Sequence, residues 1–379
     1  MLSFANCVGK IGGVSFKRDK GSRKIYYTEK RLQFLRCVSL VEGQWIAFMY
    51  CQCIRFKLEG NIDDFNLIFT FAIANITTIV VFGINNLFYE DTSLVFNSYV
   101  HLLYNLQDKY MPATDYDPRT SKVMKVLEFL TISIIINMTI LAFLTSLMTI
   151  VVPSHPVLPT SLIPPSFKYG IILKMILFPL QMFIPFSVYG ALALAMIDIF
   201  VYSATVIPFF INELRIGRGQ YKTLDSLRTP KNLMVTFRSF QLLHQMAMTC
   251  FGVAIVPCQT TVSNLILFSN FMFIRHRAEL QPETNCMLVG WSTLSLLFWM
   301  FVLELGGRLH SRGREVLKSW KMHDFGDKGV NRCMSKFRKS CQPLSMNFGR
   351  TYVIRRLTIL KFLRGLTTGT FRLLVAVHK

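Results

Sequence analysis

The chain has 379 residues, of which 52% are hydrophobic and 33 are Phe, and it carries a net charge of +21. A soluble protein of this length has more charge and less Phe, and several uncharged runs exceed the ~18 residues that mark a membrane span. The composition excludes an ordinary soluble domain and points to an all-α membrane protein, since lipid requires every backbone group to be satisfied internally.

The first 24 residues lack a long apolar core followed by a cleavage site, so the first span is expected to act as the membrane signal itself. Span 1 lies between Arg36 and Arg55 and contains Glu42, a carboxylate that must be hidden in the bundle or near an interface. Span 2 covers residues 65–89 and span 3 covers 129–152, closed by Pro153. Span 4 starts near residue 169 and is free of charge over 175–197. The apolar stretch after Asp198 is too short for the ~30 Å hydrocarbon core, so span 4 is expected to continue below the membrane as one long helix. Span 5 covers 248–274 and span 6 covers 284–303. The Pro-rich segment after span 3, PSHPVLPTSLIPPSFK, has no helical period and is expected to be extended and rigid.

Positive charge alternates between loops. The arm before span 1 holds nine Lys and Arg, and the loops after spans 2, 4 and 6 hold four, six and eleven. The loops after spans 1, 3 and 5 hold two, one and two. This asymmetry puts the N-terminus and the long loops in the cytoplasm. It also explains the basic excess without nucleic acid, for which no basic-aromatic domain remains outside the spans. The sequons at Asn75 and Asn137 fall inside spans, where glycosylation cannot reach them.

Chemical motifs are sparse. There is no phosphate-cradling loop, no H-E-x-x-H and no G-x-S-x-G, so no enzyme is expected. The nine Cys show no zinc spacing and imply no metal and no cofactor, and a Cys53–Cys286 disulfide stays open. His244 reads as a hydrogen-bonded structural residue at the inner end of span 5. The spans carry few ionisable groups (Glu42, Lys174 and Asp198) and no visible inverted repeat. Both facts weigh against the alternative, a multi-span solute transporter. What the spans do carry is aromatic and Met side chains, suited to a small hydrophobic or amphipathic ligand.

The closing stretch, 352–379, is apolar yet contains Arg355, Arg356, Lys361, Arg364 and Arg372. At ~100° per residue these charges surround a helix and leave no clean apolar face, which argues against a surface-lying helix. Residues 350–364 are therefore expected to form a cytoplasmic anchor. Residues 360–377, which include the Thr- and Gly-rich GLTTGTF, are expected to cross as a wet, protein-lined last span. The expected architecture is a seven-transmembrane helix bundle with a cytoplasmic N-terminus and an extracellular C-terminus. Its parts are a cytoplasmic arm over 1–36, a six-helix bundle over 37–305 with cytoplasmic extensions over about 198–247, and a loop, anchor and last helix over 306–379.

With this topology, LMVTFRSFQLLHQMAMTCFGVAIVP (233–257) and GRTYVIRRLTILKFLRGLTTGTFRLL resemble the fifth and last helices of the arthropod chemoreceptors, the odorant and gustatory receptors. The Thr-Tyr-x-x-x-Phe motif of gustatory receptors is absent from the last span. The resemblance implies a ligand-gated cation channel subunit in the plasma membrane, assembled as a homo- or hetero-tetramer of related chains. It implies a ligand pocket in the outer half of the bundle, with Phe69, Phe71, Phe143, Phe186, Tyr189 and Trp291 as candidates. It also implies a pore lined by Thr367, Thr370, Phe371 and Leu374.

Overall fold

The computed structural model describes residue 10 and residues 14–18, 25–111, 122–151, 155–162, 171–202, 207–348 and 352–376. The fold is all-α. Helices α1 (Glu29–Glu59), α2 (Ile62–Leu87), α3 (Tyr89–Tyr110), α4 (Lys122–Val151) and α5 (Ile171–Val201) come first. They are followed by α6 (Ile207–Leu214), α7 (Pro230–Arg275), α8 (Pro282–Met322), α9 (Lys328–Ser340) and α10 (Thr358–Ala376). Two short antiparallel hairpins complete the described structure: β1 (Phe16–Arg18) with β2 (Ile25–Tyr27), and β3 (Asn347–Phe348) with β4 (Tyr352–Val353). Among the described residues, α2, α7 and α8 are each long and apolar enough to cross a membrane.

Local chemistry sets the helix ends. The turn between α1 and α2 needs Gly60, whose φ of 73° lies in the left-handed region, and Asn61 then caps α2 by accepting from the Asp64 amide at 3.2 Å. Both α7 and α8 begin with a proline at the first helical turn, where the missing N–H has no partner to lose. At 1.5 Å per residue these two helices span about 69 and about 62 Å, twice the hydrocarbon thickness. They are joined by a short turn, so the C-terminal half of α7, uncharged up to Arg275, sits beside the N-terminal half of α8, uncharged after Glu283. The charged halves pair at the opposite end.

That charged end forms its own body with α6, α9 and the β3–β4 hairpin. Phe210 of α6 stacks on Phe240 of α7 at 4.1 Å, and Phe237 meets the Trp320 indole edge-on at 5.0 Å. The Trp320 Nε1 donates to the Leu214 carbonyl at 2.9 Å, closing the end of α6. The Glu213 carboxylate accepts from the Lys222 and Thr223 amides and the Thr223 hydroxyl, which organises the loop between α6 and α7. The chain returning to α10 runs close over glycines. A Cβ on Gly252 would lie 2.4 Å from the Asn347 carbonyl oxygen, and one on Gly307 would lie 3.0 Å from the Arg356 Cα.

Polar groups join the layers. Tyr99 of α3 donates its hydroxyl to that of Tyr202 at 2.5 Å, and the Tyr202 hydroxyl donates to Nδ1 of His244 on α7. Asn97 of α3 holds the edge of β2 as a neighbouring strand would, accepting from Ile25 N at 2.9 Å and donating to Ile25 O at 2.6 Å. Glu42 is fully buried between α1 and α2, where one oxygen accepts from the Thr78 hydroxyl at 3.3 Å.

Several expectations are corrected. The stretch after span 2, read as loop, is the 22-residue helix α3; its Tyr, Asn and acidic residues hid an apolar edge formed by Val95, Tyr99 and Leu106. The Pro-rich segment is not extended over its described part. Residues Pro159–Leu162 form a 3-10 turn, Val157 and Leu158 are buried, and the Trp45 indole donates to the Val157 carbonyl at 3.0 Å. Helix does not cover 350–364: the β3–β4 hairpin comes first, and α10 starts only at Thr358, whose hydroxyl accepts from the Arg355 amide. The thiols of Cys53 and Cys286 are both free. The junction 203–206, on which the continuity of span 4 with the helix below depends, lies outside the described residues.

Candidate functional site

Helix α10 runs parallel to the second half of α7. The Tyr352 hydroxyl donates to Gln259 at 2.6 Å, and further along Gly369 meets Leu267 so closely that a Cβ would lie 2.9 Å from its Cδ2. Taking Phe362 as 0° and ~100° per residue, Leu366, Gly369 and Leu373 fall within about 40° of it. Phe362 and Leu366 are the buried residues of the helix. The helix therefore has an apolar face after all. It is narrow, and the encircling charges mask it in the sequence.

The four pore candidates form a different sector, centred about 130° from that face. Thr367 and Phe371 are exposed, and Thr370 and Leu374 are half-buried. Thr367 returns its hydroxyl proton to the Leu363 carbonyl at 3.0 Å, which leaves its methyl and oxygen lone pairs facing away from the bundle. Arg372, at about 280°, lies on the other flank of the helix.

Arg372 borders a cavity of about 960 Å³ between α1, α2, α7 and α10. Its walls are aromatic. Phe65 stacks on Phe69 at 5.6 Å, Phe268 of α7 meets Phe69 edge-on at 4.5 Å, and Tyr50 of α1 meets Phe69 from the other side at 6.4 Å. Of the six ligand candidates, Phe69 alone lines this cavity. Phe71 is two residues on, so it points about 200° away. There it meets Trp291 of α8 at 6.3 Å. The structure thus brings Phe71 and Trp291 together and separates Phe69 from them.

Phe186 and Tyr189 are half-buried on the described part of α5. Phe143 stands at one end of an exposed apolar ridge on α4 that includes Phe129, Ile132, Ile136 and Ile140. Sequence reasoning missed Tyr50, Phe65, Phe268 and Arg372. The four-residue spacing of Phe65 and Phe69, and the Phe268, Phe271 and Met272 cluster, were the available signals. Among the described residues no group of His, Cys, Asp and Glu could hold a metal.

No protein-family model and no curated protein matches the sequence. Solved structures do. An insect olfactory receptor OR5 from Machilis hrabei in complex with eugenol aligns over 99% of this chain and 97% of its own, with a TM-score of 0.65 and 12% identity. The structure of the same receptor described without eugenol aligns over 98% and 97%, with a TM-score of 0.61 and 12% identity. The chain has the fold of an insect olfactory receptor. The match runs nearly end to end on both sides, so the charged body and α10 belong to the shared olfactory-receptor fold rather than being additions to it.

Proposed function

We propose that the chain is a chemosensory receptor, a subunit of a ligand-gated cation channel in the plasma membrane. The observation that carries this reading is the end-to-end fold match to an olfactory receptor, one of whose structures is described as a complex with the small aromatic molecule eugenol. In this reading the chain crosses the membrane seven times. The N-terminus (1–36) is cytoplasmic, the six-helix bundle spans 37–305 with cytoplasmic extensions over about 198–247, and 306–379 supplies anchor and pore helix. The charge asymmetry of the loops supports this orientation.

Four such subunits, identical or related, pack around a central axis. The sector of α10 that holds Thr367, Thr370, Phe371 and Leu374 lines the pore; its exposure in the single chain supports that role. The charged half of α7 adds a second free surface. Val235, Leu242, Met246 and Val253 are exposed along one helical face, and an apolar stripe in an aqueous compartment is covered by another subunit. The ligand, a small hydrophobic or amphipathic molecule, sits among Phe71, Phe143, Phe186, Tyr189 and Trp291. Phe69 belongs to the other face of α2.

The test is to express the chain alone and with a related partner subunit, and to record currents under a panel of odorants and tastants. Ligand-evoked cation current is expected. Silence under every ligand despite surface expression would count against the reading. A C-terminal tag reachable from outside intact cells, with an N-terminal tag that is not, is the expected topology result.

A further inference from the structure

The cavity between α1, α2, α7 and α10 is a feature that the ligand reading leaves unused. Its polarity is ordered along the bundle. Lys57 lies in the last turn of α1, His276 directly follows α7, and Arg372 lies near the end of α10, so all three sit at one end of the cavity. The other lining, toward Phe69, Ile76 and Leu267, is mostly aromatic and aliphatic, with Thr261 and Asn264 as its polar members.

The ionic pairing at that end is selective. Arg55 is engaged by Glu59 at 2.8 Å, and His276 by Glu279 at 2.7 Å. Asp63 accepts from the Gln281 amide and Asp64 from the Asn61 side chain. Lys57 and Arg372 form no ion pair among the described residues. Two cations without carboxylate partners therefore stand over a long, largely apolar slot. That pattern fits a flexible chain with one compact anionic head, and a guanidinium holds a carboxylate through two parallel hydrogen bonds.

We propose that this cavity binds a single-chain carboxylate amphiphile of the fatty-acid class. The chain lies among Phe65, Phe69 and Phe268, and the head is held by Arg372 and Lys57. The binding claim stands without the channel reading. Its consequence rests on that reading: the occupant touches Gly369, Arg372 and Leu373, on the side of α10 away from the pore sector, and so bears on the helix that lines the pore.

The experiment uses the full chain in phosphatidylcholine nanodiscs with a diazirine-bearing long-chain fatty acid as probe. Photolabelled peptides are expected to cover residues 65–76, 264–272 and 369–373. Labelling is expected to be competed by the unlabelled acid and not by the corresponding alcohol. The K57Q/R372Q double variant is expected to weaken binding about tenfold or more, and the charge-preserving K57R/R372K variant to retain it. Both positions are exposed, and an unchanged unfolding temperature confirms that the variants fold. Equal competition by acid and alcohol, labelling confined to other helices, or competition by an anionic phospholipid alone would each overturn the proposal. Odorant-evoked currents from the double variant are read separately; their persistence with labelling lost in K57Q/R372Q bears out the site and leaves the channel reading intact, whereas no current in the wild type despite normal labelling sinks only the channel reading.

Discussion

His244 and Ser345 are 101 positions apart and share a hydrogen bond of 2.9 Å, in which the imidazole Nε2–H donates to the Ser345 carbonyl. That bond fixes the tautomer. With Nε2 protonated, Nδ1 must accept, and it does so from Tyr202, which in turn accepts from Tyr99. Every proton in the chain points one way, from α3 through α7 to the segment ahead of β3, and the neutral imidazole is the form that fits.

Protonation of His244 should therefore loosen the charged body. Burial holds its pKa below the ordinary histidine value, with the Ser345 carbonyl acting weakly in the opposite sense. The unfolded chain takes up its proton first, at about pH 6.5, while the folded chain resists. The contribution is complete above that pH and is lost as pH falls toward the folded pKa. Thermal unfolding of the purified protein between pH 7.5 and 5 should show this as a falling midpoint, and the fall should be smaller in His244→Gln. An identical pH profile in the two proteins would refute the assignment. His244→Ala should cost ~2 kcal/mol or more at neutral pH, because the Tyr202 hydroxyl and Ser345 carbonyl are left without partners.

Glycines at close approaches should differ by what they approach. In Gly252→Ala the new methyl meets the Asn347 backbone oxygen at 2.4 Å, and backbone must move. A loss of ~1–3 kcal/mol is expected. In Gly369→Ala the methyl meets the end of the Leu267 side chain, which can rotate away, so less than ~1 kcal/mol is expected. Gly43→Ala, with nothing within 4 Å, is the neutral control and should gain slightly from helix propensity. Unfolding midpoints that fail to rank in this order would contradict the close packing described above.

Trp320 should be the costliest single aromatic to remove. It is buried, packs on Phe237 and holds the end of α6. Trp320→Ala should cost ~3–5 kcal/mol. Trp320→Phe keeps most of the packing and leaves the Leu214 carbonyl unpaired, for ~1 kcal/mol. The difference between the two variants separates shape from hydrogen bond. Limited proteolysis between α6 and α7 reports the same loss as faster cleavage.

Cysteine placed along α10 should read out its two flanks. Thr367→Cys and Phe371→Cys lie in the proposed pore sector, and a charged thiol reagent should change the current through either. Gly365→Cys lies at about 300° in the frame used above, away from that sector, and should leave current unaltered. Modification of Thr367→Cys without any effect on current would remove that residue from the pore.

Three spans were legible because charge-free runs of membrane length leave few alternatives: α2, α7 and α8 fall where the hydropathy put them. Helix α3 was not, because a helix buried along one narrow edge shows no long apolar run. The position of Phe69 was not legible: the sequence marks it as one aromatic among many, and which face of α2 it lines depends on the partners that α1 and α7 supply. Arg372 could not be placed from its own helix at all. A lone cation in an apolar stretch acquires meaning only from the cavity beside it, and that cavity is built by residues from about one hundred to about three hundred positions upstream. Gly306, Gly307 and Gly313 of α8 carry a similar ambiguity. Gly weakens a helix wherever it stands, and only the returning chain shows that these three are clearances.

Those clearances fix an order of events during synthesis. Gly252, Gly306, Gly307 and Gly313 form the floor of a furrow occupied by residues 344–348 and 352–356. Every wall of the furrow leaves the ribosome before its occupant does. A nascent chain ending near Ser340 presents the furrow open and α7 bare along the strip that α10 will cover. Docking of 344–348, 352–356 and α10 thus follows the making of every surface they cover: until then the furrow and the strip of α7 stand open, and a premature stop codon ahead of Leu344 leaves them so.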